Sequence, residues 1–156
     1  MFLFSCLAGF VFSGCAVSGT GKDASVQANL SPEARYLLGM QYATGSGGGQ
    51  DHARARELFR ESLAGGEIRA AHALGLLYFY GKGVEKDYDK AFVLFKEAAD
   101  KGVPDAQHML GFLYGNGLGV EKNGTLALYW TKKAAENGQP EAVHIMRVLR
   151  EKLGGK

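Results

Sequence analysis

The chain has 156 residues, 46% of them hydrophobic and 22% charged, with a formal net charge of +2. Those figures describe one ordinary folded domain with enough apolar material to bury a core. The near balance of charge, with no Lys/Arg-rich patch, argues against a nucleic-acid binder. Glycine is abundant at 23 residues and proline scarce at 3. Most of the glycines recur at fixed spacing, so they mark an ordered fold and not low complexity.

The N-terminal run from Phe2 to Phe12 is apolar and uncharged, and the first Lys or Arg is Lys22. It falls well short of the about 20 residues a membrane-spanning helix needs, but it suits the hydrophobic region of a secretory signal. Residues 1–14 are therefore expected to act as a signal peptide. Ser13-Gly14-Cys15, with Phe12 ahead of them, resemble the lipobox of bacterial lipoproteins. The resemblance implies that Cys15 becomes a lipid-bearing N-terminus and that the protein is held in the bacterial periplasm, expected at the outer membrane. On the other reading, Cys6 and Cys15 are small buried hydrophobes. On either, no cysteine follows position 15, so no disulfide can staple the folded part. The small and polar residues up to Leu30 make 15–30 a lipidated N-terminus followed by a flexible tether.

From residue 34 onward the sequence repeats every 36 residues. Aligning 70–105 with 106–141 gives 17 identical pairs in 36, among them His72/His108, Leu74/Leu110, Gly75/Gly111, Tyr78/Tyr114, Gly81/Gly117 and Pro104/Pro140. The segment 34–69 is a weaker copy, and Ala142-Val143-His144-Ile145-Met146 begins a fourth in which Arg147 replaces the glycine. Apolar residues three or four apart, such as Ala106, Leu110 and Leu113/Tyr114, predict a first helix in each unit; Ala91, Leu94/Phe95 and Ala98 predict a second. Pro32, Pro104 and Pro140 suit the first turn of the first helices. Asp51, Asp87 and Asn123 suit the N-caps of the second helices, which Gly66, Gly102 and Gly138 follow. Gly75 and Gly111 sit within a helix, where glycine costs about 1 kcal/mol relative to alanine. Their recurrence points to close helix–helix contact.

The pattern Ala-x-x-x-Leu-Gly-x-x-Tyr-x-x-Gly-x-Gly-Val-x-x-Asp/Asn-x-x-x-Ala, followed by Ala-Ala-x-x-Gly, resembles the Sel-1-like repeat family, a relative of the tetratricopeptide repeats. The resemblance implies an all-α fold: a right-handed α-solenoid of three helix–turn–helix repeats, 34–69, 70–105 and 106–141, plus a C-terminal capping helix at 142–152. The repeat domain as a whole is expected over 31–152. Family membership also implies a non-enzymatic adaptor that binds another protein.

By analogy with tetratricopeptide solenoids, the first helices would line a concave groove. The residues expected to face a partner are Tyr36, His72, His108 and His144, which form a ladder, together with Phe79, Tyr80, Phe112 and Asn116. Residues at helical spacing can equally be core, and on that alternative reading the ladder packs against the neighbouring unit instead. Parallel helices lie about 8–10 Å apart, so the histidines should not converge as metal ligands must. No metal or cofactor is expected. No nucleophile elbow, phosphate loop or zinc-protease motif occurs, and an enzyme is the least favoured reading. The partner is expected to be an envelope protein; the alternative is a secreted toxin, such as a phospholipase, neutralised by this chain as an immunity protein. Apart from that partner and a lipid anchor, a monomer is expected.

Overall fold

The computed structural model describes residues 29–46 and 48–154. The signal-like segment 1–14, Cys15 and the tether up to residue 28 lie outside the described residues, as does Gly47. Seven helices make up the described chain: α1 Pro32–Thr44, α2 His52–Ala64, α3 Arg69–Tyr80, α4 Tyr88–Asp100, α5 Pro104–Asn116, α6 Gly124–Glu136 and α7 Pro140–Gly154. They pair as α1/α2, α3/α4 and α5/α6, and α7 follows as a single helix; extensive contact runs between consecutive helices. This nearest-neighbour packing defines a solenoid.

The helix boundaries follow from the sequence chemistry. Carboxylate or amide oxygens of Asp51, Asp87 and Asn123 accept the backbone N–H of Arg54, Lys90 and Leu126 at 2.9, 2.9 and 3.0 Å. Each cap satisfies one of the orphan donors of a second helix. Pro32, Pro104 and Pro140 open α1, α5 and α7. The helix-interior glycines bring the two helices of a unit together. A Cβ on Gly39 would sit 2.6 Å from the Phe59 ring, and one on Gly75 would sit 2.6 Å from the Phe95 ring. At Gly111 the neighbours are Thr131 Oγ1 at 2.5 Å and the Ala127 carbonyl oxygen at 3.1 Å. Arg147 takes the glycine's place in α7, where no second helix follows among the described residues.

The core is a stack of alanines and a few large side chains. One apolar cluster joins Ala71, Ala91, Phe95, Ala99, Leu110, Leu113 and Trp130; a second joins Ala55, Phe59, Ala70, Leu74 and Leu77. Two buried polar side chains tie helices together, Ser62 within the first unit and Gln107 between the second and third. Ser62 Oγ donates to the Pro32 carbonyl at 2.6 Å. Gln107, fully buried where the second unit has Ala71, donates to the Ala99 carbonyl at 3.1 Å and accepts from Asn137 Nδ2 at 2.8 Å. Satisfying both ends of the amide removes the cost of burying it. At the leading face, Gln41 stands exposed where Leu77 and Leu113 are buried in later units.

Candidate interaction face

The first helices α1, α3, α5 and α7 carry the predicted ladder on equivalent positions, but its rungs have different surroundings. Tyr36 is half-buried, with the Arg69 guanidinium 4.8 Å from its ring centre and Phe59 at 5.9 Å. Burial raises the pKa of its hydroxyl, and Arg69 pulls it partly back. Arg69 is itself clamped by Glu67 at 2.8 Å and Glu33 at 3.3 Å, which strengthen its hold on its proton. His72 stacks obliquely 5.6 Å from Phe95; burial holds its pKa down, and the carboxylate of Asp105 opposes that. His108 Nδ1 is buried and finds no hydrogen-bond partner among the described residues. His144 is exposed, with Nδ1 3.0 Å from Arg147 Nη2. Each rung thus faces a charged residue 33 positions on, Arg69, Asp105 or Glu141, wherever a following unit exists. Tyr36 and His72 share an open cavity of about 340 Å³ with Arg69, Lys101 and Asp105. The first two rungs are brought together, whereas His144 stands apart.

Further along the same helices lies an aromatic cluster centred on Phe79. Its ring is 4.9 Å from Tyr80, 5.3 Å from Tyr88, 6.0 Å from Phe112 and 6.4 Å from Phe95. Phe79 is the half-buried hub, while Tyr80 and Phe112 are 57% and 45% exposed. Asn116 is exposed and folds back, its amide donating to the Phe112 carbonyl at 2.8 Å. Lys82 lies 5.6 Å from the Tyr80 ring and Lys86 5.5 Å from the Tyr88 ring. Such cation–aromatic contacts keep the ammonium groups over the cluster and still accessible.

Sequence reasoning missed Arg69, Lys82, Lys86 and Tyr88. The repeat alignment pointed to Phe79 and Tyr80 because they break the pattern; the same test applied to Lys82 and Tyr88, which face Leu118 and Gly124 one unit on, would have found those too. Arg69 becomes visible only when adjacent units are stacked.

Among the described residues no group of three or more His, Cys, Asp or Glu side chains is placed to hold a metal ion. No described helix is long and apolar enough to cross a membrane.

The Sel1 repeat model matches residues 32–67, 68–103 and 104–139. The chain belongs to the Sel1 repeat family. Its units as matched begin two residues ahead of those drawn from sequence identity alone. Among solved structures it is similar to a Sel1 repeat protein from Oxalobacter formigenes, with 35% identity and a TM-score of 0.69, covering 80% of this chain and 93% of that one. It is also similar to a protective antigen present in uropathogenic Escherichia coli strains, described as displaying an SLR fold. There the identity is 33% and the TM-score 0.70, over 77% of this chain but only 26% of the antigen. Cysteine-rich protein B of Helicobacter pylori matches at 25% identity and a TM-score of 0.63, covering 80% of this chain and 95% of its own. No curated protein sequence matches the chain. Sel1 repeats are protein-interaction scaffolds, and the family is not a catalytic one.

Proposed function

We propose that this protein is an exported lipoprotein that binds one partner protein in the periplasm through the groove lined by its first helices. The observation that carries the binding face is the exposure of large apolar side chains there. Met40, Tyr80 and Phe112 are open to solvent, whereas the buried positions of the first helices are mostly alanine, leucine and glycine. Burying aromatic side chains of this kind supplies the hot spots of protein interfaces. Tyr36, His72, His108, His144, Phe79 and Asn116 complete the face, in contact with the partner or supporting residues that are. Export and anchoring rest on the apolar run at 2–12 and on Ser13-Gly14-Cys15.

Cells producing the full chain are the material for the test. The protein is captured with its bound partner, and Tyr80→Ala and Phe112→Ala are compared with the parent. Loss of the partner from both variants, with helical content unchanged, supports the groove; retention in both removes it. If the captured partner is a secreted lipid-degrading toxin whose activity falls with one equivalent of this protein, the scaffold serves as an immunity protein. If it is a resident envelope protein, the role is assembly or regulation. Labelling with a radioactive fatty acid should mark the parent and not Cys15→Ser.

A further inference from the structure

We infer that the second unit's end of this groove selects an acidic partner segment carrying a large apolar side chain. The inference rests on the groove reading above and specifies its chemistry. The cluster there is not something the repeat demands. At the places of Phe79, Tyr80, Lys82, Lys86 and Tyr88, the first unit has Ala43, Thr44, Ser46, Gln50 and His52. The third has Gly115, Asn116, Leu118, Lys122 and Gly124. Both units keep their caps and helices without those aromatic rings, so the rings and Lys82 of the second unit are surplus to the fold, while Lys86 recurs as Lys122 and gains its ring only through Tyr88.

The charges are asymmetric. Among the described residues neither Lys82 nor Lys86 forms an ion pair; each lies over an aromatic ring, and Lys86 Nζ also reaches the Tyr88 hydroxyl at 3.5 Å. Neighbouring basic residues are already matched: Lys90 to Asp87 at 2.8 Å and Lys96 to Asp100 at 2.7 Å. Glu85 and Glu121, the acids of the two turns, pair with neither free lysine and leave them to external carboxylates. A leucine or aromatic side chain seated between Tyr80 and Phe112 would bring flanking aspartates or glutamates within reach of both ammonium groups. Such charge complementarity fixes register and speeds encounter more than it adds raw affinity.

Two short synthetic peptides test this, one with glutamates on each side of a Leu-Phe pair and one with lysines in their place. Calorimetric titration of the full folded chain is expected to show saturable binding of the acidic peptide, about tenfold tighter than the lysine peptide at low salt. The gap should shrink as salt screens the pairs. Lys82→Glu with Lys86→Glu, both at exposed positions, should reverse the preference with helical content unchanged. Equal binding of the two peptides, no saturable binding of the acidic one, or a preference that survives the double reversal overturns the inference, as does binding of anionic lipid vesicles in place of peptide. If Tyr80→Ala and Phe112→Ala release the captured partner but the lysine reversal does not, the charge inference fails while the groove stands. If the alanine variants also retain it, the groove itself is wrong.

Discussion

The second and third units share nearly half their residues yet place their bulk on opposite sides. In the second unit, the pair Leu94-Phe95 points its aromatic ring under Gly75, and Phe79, Tyr80 and Tyr88 build outward from it on the groove side. In the third, the matching pair is Trp130-Thr131. The small Thr131 lies under Gly111, and the indole moves back one position, where it joins the core with Ala99 and Leu110 and is only 8% exposed. At the places of Phe79 and Tyr80 that unit carries Gly115 and Asn116. On the outer side, the place Trp130 fills has a counterpart one unit earlier that stays open: a cavity of about 610 Å³ lined by Leu63, Leu74, Tyr78, Val93 and Leu94. Matching glycines, caps and turns fix one backbone, and the exchanged side chains decide which face is filled and which presents a surface.

The largest effects should come from the two alternative anchors. Trp130→Ala and Phe95→Ala are each expected to cost about 3–5 kcal/mol in denaturant unfolding, since both empty a buried aromatic site. Moving the anchor should cost far less than deleting it. Trp130→Leu combined with Thr131→Phe gives the third unit the second unit's pair, and should remain within about 1.5 kcal/mol of the parent. A double variant as unstable as Trp130→Ala would show that the units are not interchangeable.

Next comes the glycine beneath the ring. Gly75→Ala forces a methyl against Phe95 and is expected to lower stability by about 1–3 kcal/mol despite alanine's better helix propensity. Arg147→Ala, at the matching place in α7, should change stability by less than about 0.5 kcal/mol, as a surface substitution without such a neighbour does. Equal effects at the two positions would remove the contact argument.

A smaller change is expected from Leu94→Trp, which offers the open outer cavity the indole that its neighbour already has. Stability should hold or rise by about 1 kcal/mol, with the tryptophan emission shifted to the blue by burial. A red-shifted, solvent-exposed indole would mean that the two steps of the solenoid differ in backbone and not only in side chains.

The smallest effect is a pH dependence. Burial holds His72 below its ordinary value of 6.5, with Asp105 acting against it. The unfolded chain therefore takes up the proton at higher pH than the folded one. The stability associated with neutral His72 is complete above pH 6.5 and is lost as pH falls from there through the folded value. His72→Phe should flatten the pH dependence of stability measured by unfolding between pH 7 and pH 5 relative to the parent. The opposite slope would mean that Asp105 outweighs burial.

Much of the architecture is legible in the sequence, because a repeat multiplies weak signals. One aspartate before an apolar stripe is a poor helix start, but Asp51, Asp87 and Asn123 at one spacing are three instances of one cap. The role of Gly75 was legible for the same reason. The surroundings of the ladder were not: Tyr36, His72, His108 and His144 are equivalent by number, yet Tyr36 meets the cation Arg69, His72 and His108 the carboxylates Asp105 and Glu141, and His144 only Arg147 of its own helix. That depends on contacts between units, which no periodicity within one unit reports. Phe79 marks the same limit. Its departure from the repeat was visible, but its place at the hub of four rings was not.

The measurement that bears most directly on the account is the affinity of the captured partner for two paired variants of the full chain, one on each face. Tyr80→Ala with Phe112→Ala opens the first-helix groove; Val93→Asp with Tyr129→Ala changes the exposed outer face of the second helices. The groove pair should weaken binding by more than about tenfold, with the outer pair within about twofold of the parent. A loss confined to the outer pair would contradict the account and place the partner on the opposite face of the solenoid.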